Sequence, residues 1–229
     1  GIFEGKELIE IAVERTKSGH HVGNIYKGKT KNVLPGMQAA FIDIGKEKNA
    51  FLYVGDELQA NAAPKVVDHT LTVGKEIMIQ IVKDALGTKG PRATTNLTLP
   101  GRYVVFMPTV DYIAISRRIA SEEERTRLKQ LVEKVRPAGM GIIVRTMAEG
   151  KSEEDLHKDI DYLCNLWSAL SARAKRAAAP ILLYRDVDLI IRIVRDYLSE
   201  DVGEFVLDNK EVFEKLLEMK SGINREYID

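Results

Sequence analysis

An α+β protein, in which a small closed β-barrel sits inside a domain completed by both ends of the chain, is the fold class this sequence predicts. Three observations predict it. From Val22 to about Thr95 short strand patterns follow one another with turn signals between them. After Pro100-Gly101 helical periodicity enters and alternates with apolar strands. The C-terminal stretch reads αβα, too short for a sheet of its own, while the first residues read as a hairpin that needs partners, so the two ends are expected to build one discontinuous domain.

The elements follow in order. Ile2 to Val13 reads as a hairpin around Glu4-Gly5, and the chain opens at Gly1 without an initiator Met. Ile25, Tyr26 and Val33 lie in a Gly- and Lys-studded strand that ends at the turn Pro35-Gly36. Ala39 to Gly45 and Ala50 to Gly55 form the next two strands, joined by the polar turn Lys46-Glu47-Lys48-Asn49. After an insert from Asp56 to Leu71, Glu76 to Val82 alternates with Ile77, Ile79 and Ile81 on one face, and Ala93 to Leu99 makes a fifth barrel strand. Tyr103 to Met107 and Asp111 to Ile115 are strands. Ser121 to Glu124 is a capping box that opens a helix to about Val135, before Pro137. Gly141 to Thr146 is a strand. Ser152 then caps a long helix whose Leu156, Ile160, Leu163, Trp167 and Leu170 recur at helical spacing until Pro180 stops it. A strand (Ile181 to Tyr184), a helix (Asp188 to Leu198), a strand (Glu204 to Leu207) and a helix (Glu211 to Met219) complete the chain.

Composition excludes several classes. Of 229 residues, 45% are hydrophobic and 30% charged, which is globular rather than disordered. No apolar run approaches the roughly 18–20 residues of a membrane span, and no signal-peptide pattern opens the sequence. One cysteine, Cys164, excludes an internal disulfide and a Cys-pair metal site, and the expected compartment is a reducing cytoplasm. Lys+Arg 34 balance Asp+Glu 34, yet the charges are unevenly spread. Seven basic residues and two acids lie between Arg15 and Lys48, against ten acids and four bases from Asp196 to Asp229. A basic front and an acidic back are expected, and the front is a candidate nucleic-acid surface.

The residues that carry chemistry point to binding. Phe41, Phe51 and Tyr53 lie on consecutive strands among Lys27, Lys29, Lys46 and Lys48, and aromatic faces that stack bases beside phosphate-neutralising lysines are the chemistry of single-strand binding. If Ala40, Ile42 and Ile44 point inward, Phe41 and Asp43 point out; otherwise the phenylalanines are barrel core. Lys89, in Gly87-Thr88-Lys89-Gly90, stands on a loop at the barrel edge, as either a solvated or a phosphate-contacting lysine. Arg145-Thr146 ends an apolar strand with a guanidinium and a hydroxyl, a donor pair for a phosphate unless Arg145 pairs with a carboxylate such as Glu149. Ser116-Arg117-Arg118 adds cation, and Gly101 lets a ligand approach the backbone.

Catalytic constellations are thin. His20, His21, His69 and His157 lack ligand spacing, Asp159 and Asp161 do not face each other on their helix, and Asp186 and Asp188 read as loop and cap residues. A metal-dependent nuclease acting through Asp186 and Asp188 is the least supported class. Cys164 falls in an apolar helical stripe and reads as an inert thiol.

Gly23-Asn24-Ile25-Tyr26-Lys27-Gly28-Lys29, Ala39 to Gly45 and Phe51-Leu52 closely resemble the S1-type OB domain of the ribonuclease E/G family. Gly87 to Gly90 with Thr94-Thr95, Ile115 to Ile119, Gly139 to Thr146, Arg195 to Leu198 and Leu207 to Asn209 continue the resemblance in order along essentially the whole chain. It implies an RNase H-like domain in two segments (1–19 and 191–229), an S1-type OB domain (20–95) and a 5′-sensor region (96–190). Phe41, Phe51 and Lys89 match the family's RNA-contacting positions. Arg145 and Thr146 match the pair that grips the RNA 5′-monophosphate, Gly101 and Val105 match backbone positions lining that pocket, and Arg117 matches a neighbouring arginine.

The resemblance also implies a cytoplasmic endoribonuclease of RNA processing and decay, a homo-oligomer, acting on single-stranded RNA. Family members cut with magnesium held by aspartates in a DNase I-like domain, whose Asp-x-Asn motif has no match here, and the Cys-Pro-x-Cys zinc link is likewise unmatched. The expectation is a piece that binds RNA and senses its 5′ end without cleaving it. The rival is a stand-alone, non-catalytic RNA-binding or assembly module.

Overall fold

The computed structural model describes residues 1–14, 21–53, 71–198, 202–214 and 216. The insert expected from Asp56 lies outside them, apart from Leu71. The chain divides into two compact units, residues 1–20 with 187–229, and residues 21–186.

In the first unit, β1 (Ile2–Glu4) and β2 (Glu7–Glu10) form an antiparallel hairpin that turns through Gly5 at φ +61°. Helix α3 (Leu189–Tyr197) starts where the Asp188 carboxylate accepts from the Ile191 amide at 3.0 Å, so Asp188 is the cap that its sequence position suggests. The N-terminal segment meets this helix through polar contacts: Glu14 accepts from the Leu189 amide at 3.0 Å, and Tyr197 donates to Glu10 at 2.9 Å. The strand expected from Glu204 to Leu207 does not form; residues 202–207 are irregular. Its run of Phe205, Val206 and Leu207 has strand propensity, but Glu204, Phe205 and Val206 stand exposed, and a strand without a ladder partner has no hydrogen bonds to hold it. Of the last expected helix, residues 210–214 and 216 are helical and the remainder is not described.

The larger unit contains the barrel. β3 (Ile25–Leu34), β4 (Ala39–Asp43), β5 (Ala50–Tyr53), β6 (Glu76–Lys83) and β7 (Arg92–Thr94) hydrogen-bond in the order β3-β4-β5-β7-β6, and β6 pairs again with β3 to close the ring. The β5–β7 pair is parallel, the others antiparallel. Alternation fills the interior with Tyr26, Ala40, Ile42, Ile44, Ala50, Leu52, Ile79, Ile81 and Ala93. At Gly28 a Cβ would lie 2.4 Å from the Ile42 methyl and 2.8 Å from the Asp43 carbonyl, so only glycine lets β3 cross β4 this closely.

The fifth barrel strand is shorter than its sequence pattern. After Thr94 the chain turns, with the Thr94 hydroxyl accepting from the Asn96 amide at 3.1 Å and Leu97 donating to the Thr109 hydroxyl at 3.2 Å. Leu97 and Leu99 are then buried in a second core. That core lies between a four-stranded sheet and two helices. The sheet runs β10-β11-β9-β8, from β8 (Leu99–Pro100), β9 (Val104–Met107), β10 (Ile113–Ile115) and β11 (Gly141–Val144). Helix α1 (Glu122–Val135) contributes Leu128 and Val132, and α2 (Glu153–Arg176) contributes Leu156, Ile160, Leu163 and Leu170 at the spacing of one helical face. Ser152 and Asp155 form a reciprocal capping box on α2. On α1 only half of the expected box forms: Ser121 accepts from the Glu124 amide, while the Glu124 carboxylate turns to Arg127 and the Gly150 amide. Strand β12 (Ile181–Tyr184) leaves α2 and pairs antiparallel with β3, joining the helical layer to the barrel.

Gly28→Ala is expected to lower stability by about 1–3 kcal/mol, the usual cost of an overpacked methyl. Gly36→Ala, where nothing lies within 4 Å of the added Cβ, should stay within about 0.5 kcal/mol. Urea melts of the two variants check the contrast.

Candidate nucleic-acid interface

On the barrel, inward residues decide the outward ones. Ala40, Ile42 and Ile44 are buried, so Phe41 and Asp43 face away from the interior, and Phe51 does the same between Ala50 and Leu52. Phe41 and Phe51 are register partners whose rings meet edge to face, with centroids 5.6 Å apart and planes at 64°. Neither ring belongs to the barrel core. Arg92 is the register partner of Phe51 on β7, so a guanidinium-bearing residue continues this outer row. Tyr53 lies two residues further along the same face of β5.

Lys89 is brought to this side by backbone. Leu86 and Lys89 exchange N–H···O bonds at 3.2 and 3.0 Å across a turn that contains Gly87 at φ +56°. Lys48 donates to the Gly87 carbonyl, and the Phe51 amide donates to the Pro91 carbonyl at 2.8 Å. At Gly90 a Cβ would fall 2.1 Å from the Asn49 carbonyl, so the Lys89 turn packs directly on the turn that leads into Phe51. Lys89, Lys29 and Lys46 are exposed.

Lys27, expected among the phosphate-neutralising lysines, has structural partners. Its ammonium donates to the Ala177 carbonyl at 2.8 Å and lies 2.5 Å from Glu76, whose other oxygen accepts from the Ala179 amide at 3.2 Å. It thereby holds the C-terminal end of α2 to the barrel. Lys31 similarly sits 3.2 Å from Asp43.

The second candidate site gathers where β10 and β11 end and β9 begins. The Ser116 amide donates to the Val144 carbonyl at 2.8 Å, and the Ser116 and Thr146 hydroxyls are 3.1 Å apart. This parallel pairing sets exposed Arg117 next to the Arg145-Thr146 segment. Arg145 is held by the turn between β8 and β9: its amide donates to the Tyr103 carbonyl at 2.8 Å, and its Nη1 donates to the Gly101 carbonyl at 2.6 Å. Val105 pairs with Pro100 and Ile143 in the sheet. Gly101 is buried, and its amide donates to the Val104 carbonyl at 2.7 Å.

Beneath this turn lies a residue to which helical spacing assigns no partner. Asp159, on the buried face of α2 and only 4% exposed, accepts from the Arg102, Tyr103 and Val104 amides at 3.3, 2.8 and 2.9 Å. Burial pushes its carboxyl up to about 6, against the three amide bonds and the Arg145 charge that favour ionisation. The missing Cβ of Gly101 is what admits this carboxylate, since an added methyl would sit 2.7 and 2.8 Å from its two oxygens. The available signal was an aspartate in the apolar row Leu156, Ile160, Leu163. Tyr103 adds a second unanticipated feature, a ring approached by Arg102 at 5.8 Å and by Lys151 at 6.0 Å. Glu124 completes the frame: it accepts from Arg127 at 2.6 and 2.7 Å and from the Gly150 amide at 2.8 Å, fixing the loop that follows Thr146. The Arg127 hydrogen bonds hold its carboxyl down at about 2.

Chemically, one face offers aromatic rings and an exposed lysine, and the other offers a guanidinium and hydroxyls at a strand end. Both suit a polyanion with flat bases.

A sequence model described as the Ribonuclease E/G family matches residues 98–229. The chain belongs to the ribonuclease E/G family. Among curated ribonucleases E/G, Ribonuclease E of Nostoc sp. (strain PCC 7120) is 43% identical over 212 residues, covering 91% of this chain and 30% of that protein. Ribonuclease G of Escherichia coli K12 is 41% identical over 229 residues, covering 96% of this chain and 47% of that protein. Ribonuclease E of Synechocystis sp. (strain PCC 6803) is 38% identical over 224 residues, covering 95% and 33%. The chain thus spans from under a third to about half of the length of these ribonucleases E/G.

Two carboxylates should give opposite pH signatures. The Asp159 carboxyl is raised in the folded state, so the fold binds its proton more tightly than the unfolded chain does. Its contribution to stability falls as pH rises from about 4 to about 6, by up to about 3 kcal/mol. Glu124 is lowered, so its contribution is present above about 4.5 and is lost as pH falls towards about 2. Urea melts across this range should show the slope between pH 4 and 6 flattened in Asp159→Asn, and the acid-side loss reduced in Glu124→Gln.

Proposed function

We propose that this chain is the RNA-gripping part of an endoribonuclease of the ribonuclease E/G family. In this reading the barrel is an S1-type OB domain, the unit that contains both chain ends is RNase H-like, and the intervening region senses the RNA 5′ end. The observation that carries the reading is the aromatic pair. Phe41 and Phe51 stand outside a barrel whose interior is filled without them, beside the turn that displays Lys89. Bases stack on such rings for about 1–3 kcal/mol each without regard to sequence, and a lysine at the edge neutralises the passing phosphate.

The strand-end site takes the 5′-monophosphate. Arg145 and the Thr146 hydroxyl contact the terminal oxygens, Arg117 adds charge, and the backbone of Gly101 and Val105 lines the pocket. A terminal monophosphate carries more charge than a phosphodiester, and a 5′-hydroxyl offers the guanidinium no anion, so the site discriminates ends by charge. A triphosphate is bulkier and fits such a pocket poorly.

Cleavage belongs, in this reading, to magnesium-dependent chemistry in the part of the family's proteins that this chain does not span. Among the described residues no group of three His, Cys, Asp or Glu side chains could hold a metal ion, and no cleavage step is assigned to them. The parent is read as a cytoplasmic homo-oligomer that processes and degrades single-stranded RNA, with a zinc link between protomers outside this chain.

Fluorescence anisotropy at fixed salt tests both sites. Phe41→Ala with Lys89→Ala should weaken binding of a 5′-hydroxyl oligoribonucleotide by about tenfold or more; unchanged affinity would remove the barrel from the RNA path. Arg145→Ala should abolish a preference for the 5′-monophosphate end, and equal affinity of the unaltered chain for both ends would sink the sensing role.

A further inference from the structure

A carboxylate in an apolar helix row is hard to justify by stability. Along α2 the neighbours Leu156, Ile160 and Leu163 are buried hydrophobics, and a hydrophobic side chain at position 159 would avoid desolvating a charge but would take the acceptor from three amides of one turn. Asp159 instead gathers the amides of three successive residues, Arg102, Tyr103 and Val104, and so fixes the backbone of one turn. That turn grips Arg145 twice, through the Tyr103 carbonyl on its main chain and the Gly101 carbonyl on its guanidinium. The path from α2 to the guanidinium therefore consists of short hydrogen bonds and one rigid turn. It also places a negative charge below the turn, so the guanidinium is drawn to the Gly101 carbonyl by geometry and by charge.

We propose that Asp159 is the positioning residue of the phosphate site: through the 101–104 turn it sets the orientation in which Arg145 meets a terminal phosphate. The inference rests on the end-sensing reading above and adds a residue that touches no RNA. A guanidinium recognises a phosphate through parallel N–H···O bonds whose worth depends on its plane, so loosening the turn costs recognition without removing the charge. Asp159 lies on the buried face of α2 and its hydrogen bonds go to the 102–104 turn rather than to the barrel strands that carry Phe41 and Phe51, so binding of the downstream strand should not register its loss.

The test uses the 229-residue chain and a 3′-labelled single-stranded oligoribonucleotide carrying either a 5′-monophosphate or a 5′-hydroxyl, with melting curves to verify folding. Asp159→Asn is expected to reduce the ratio of 5′-monophosphate to 5′-hydroxyl affinity by about fivefold or more while leaving 5′-hydroxyl binding within about twofold. In an Arg145→Ala background, where the preference is already gone, the same substitution should leave the 5′-monophosphate affinity itself within about twofold, because Asp159 acts through Arg145. A ratio kept in Asp159→Asn, a further loss on top of Arg145→Ala, or equal loss of both affinities in a cooperatively melting variant overturns the proposal. If Asp159→Asn does not fold, Gly101→Ala carries the test. Its methyl would lie 2.7 and 2.8 Å from the carboxylate oxygens and 2.9 Å from Leu163, so it should displace the carboxylate and lower the ratio, and an unchanged ratio overturns the proposal. An unaltered chain with no preference fails the end-sensing reading, and the proposal with it; a preference that survives in Asp159→Asn fails the proposal alone.

Discussion

A β-strand has two edges, and β3 uses both along its length. One edge pairs with β6 from Ile25 to Lys29. The other pairs with β4 from Lys29 to Leu34 and, below it, with β12 from Ile25 to Lys27. The first two pairings close the barrel, and the third fastens the helical layer to it. Lys27 reinforces this junction from the side, since its ammonium reaches both Glu76 on β6 and the carbonyl that ends α2. Gly28 is the residue that makes the arrangement possible, by letting β3 and β4 approach more closely than any side chain allows. Both candidate surfaces inherit their placement from this strand: the aromatic row through β4 and β5, and the strand-end cluster through the layer that β12 attaches.

The two surfaces obtain their charge differently. On the barrel, basic residues near in sequence have separate fates. Lys27 is consumed by the junction, Lys31 lies against Asp43, and Lys29, Lys46 and Lys89 face solvent. At the strand end, the Gly101 and Tyr103 carbonyls hold Arg145, buried Asp159 accepts from the amides of the same turn, and Tyr103 collects Arg102 and Lys151 around its ring. Three carboxylates near these surfaces have framework roles: Glu76, Glu124 and Asp159 all terminate on amides or cations of the protein itself.

What was legible in the sequence is what periodicity and punctuation encode. The strands from Ile25 to Lys83, the helix capped by Ser152, and the strand Ile181–Tyr184 follow from alternation, caps and Pro180. So does the outward position of Phe41, because its neighbours Ala40 and Ile42 fix the inward face. Tertiary choices were not legible. Ala93 to Leu99 reads as one strand, yet Leu97 and Leu99 serve a different core from Ala93, which no local pattern reveals. Glu204 to Leu207 has the apolar run of a strand but no ladder. Glu124 sits at the third position of a capping box and is drawn away by Arg127. Asp159 was passed over because spacing compares it with Asp161 on its own helix, whereas its partners are amides 55 to 57 residues earlier. The family resemblance covers what pattern could not, since it names positions such as Arg145 and Thr146 that no periodicity distinguishes.

The turn that carries Lys89 is already shaped before anything binds it. Its two reciprocal backbone bonds, the Lys48 contact to Gly87 and the close seat of Gly90 on Asn49 leave the main chain little left to order. A ligand arriving there has to immobilise only the lysine side chain, an entropy loss of about 0.5–1.5 kcal/mol instead of that of a whole loop. The same rigidity fixes the distance from the Lys89 main chain to the strands that carry the phenylalanine rings. On the RNA-gripping reading proposed above, the barrel works as a ruler for the strand that crosses it, accepting any base but only one stride of backbone.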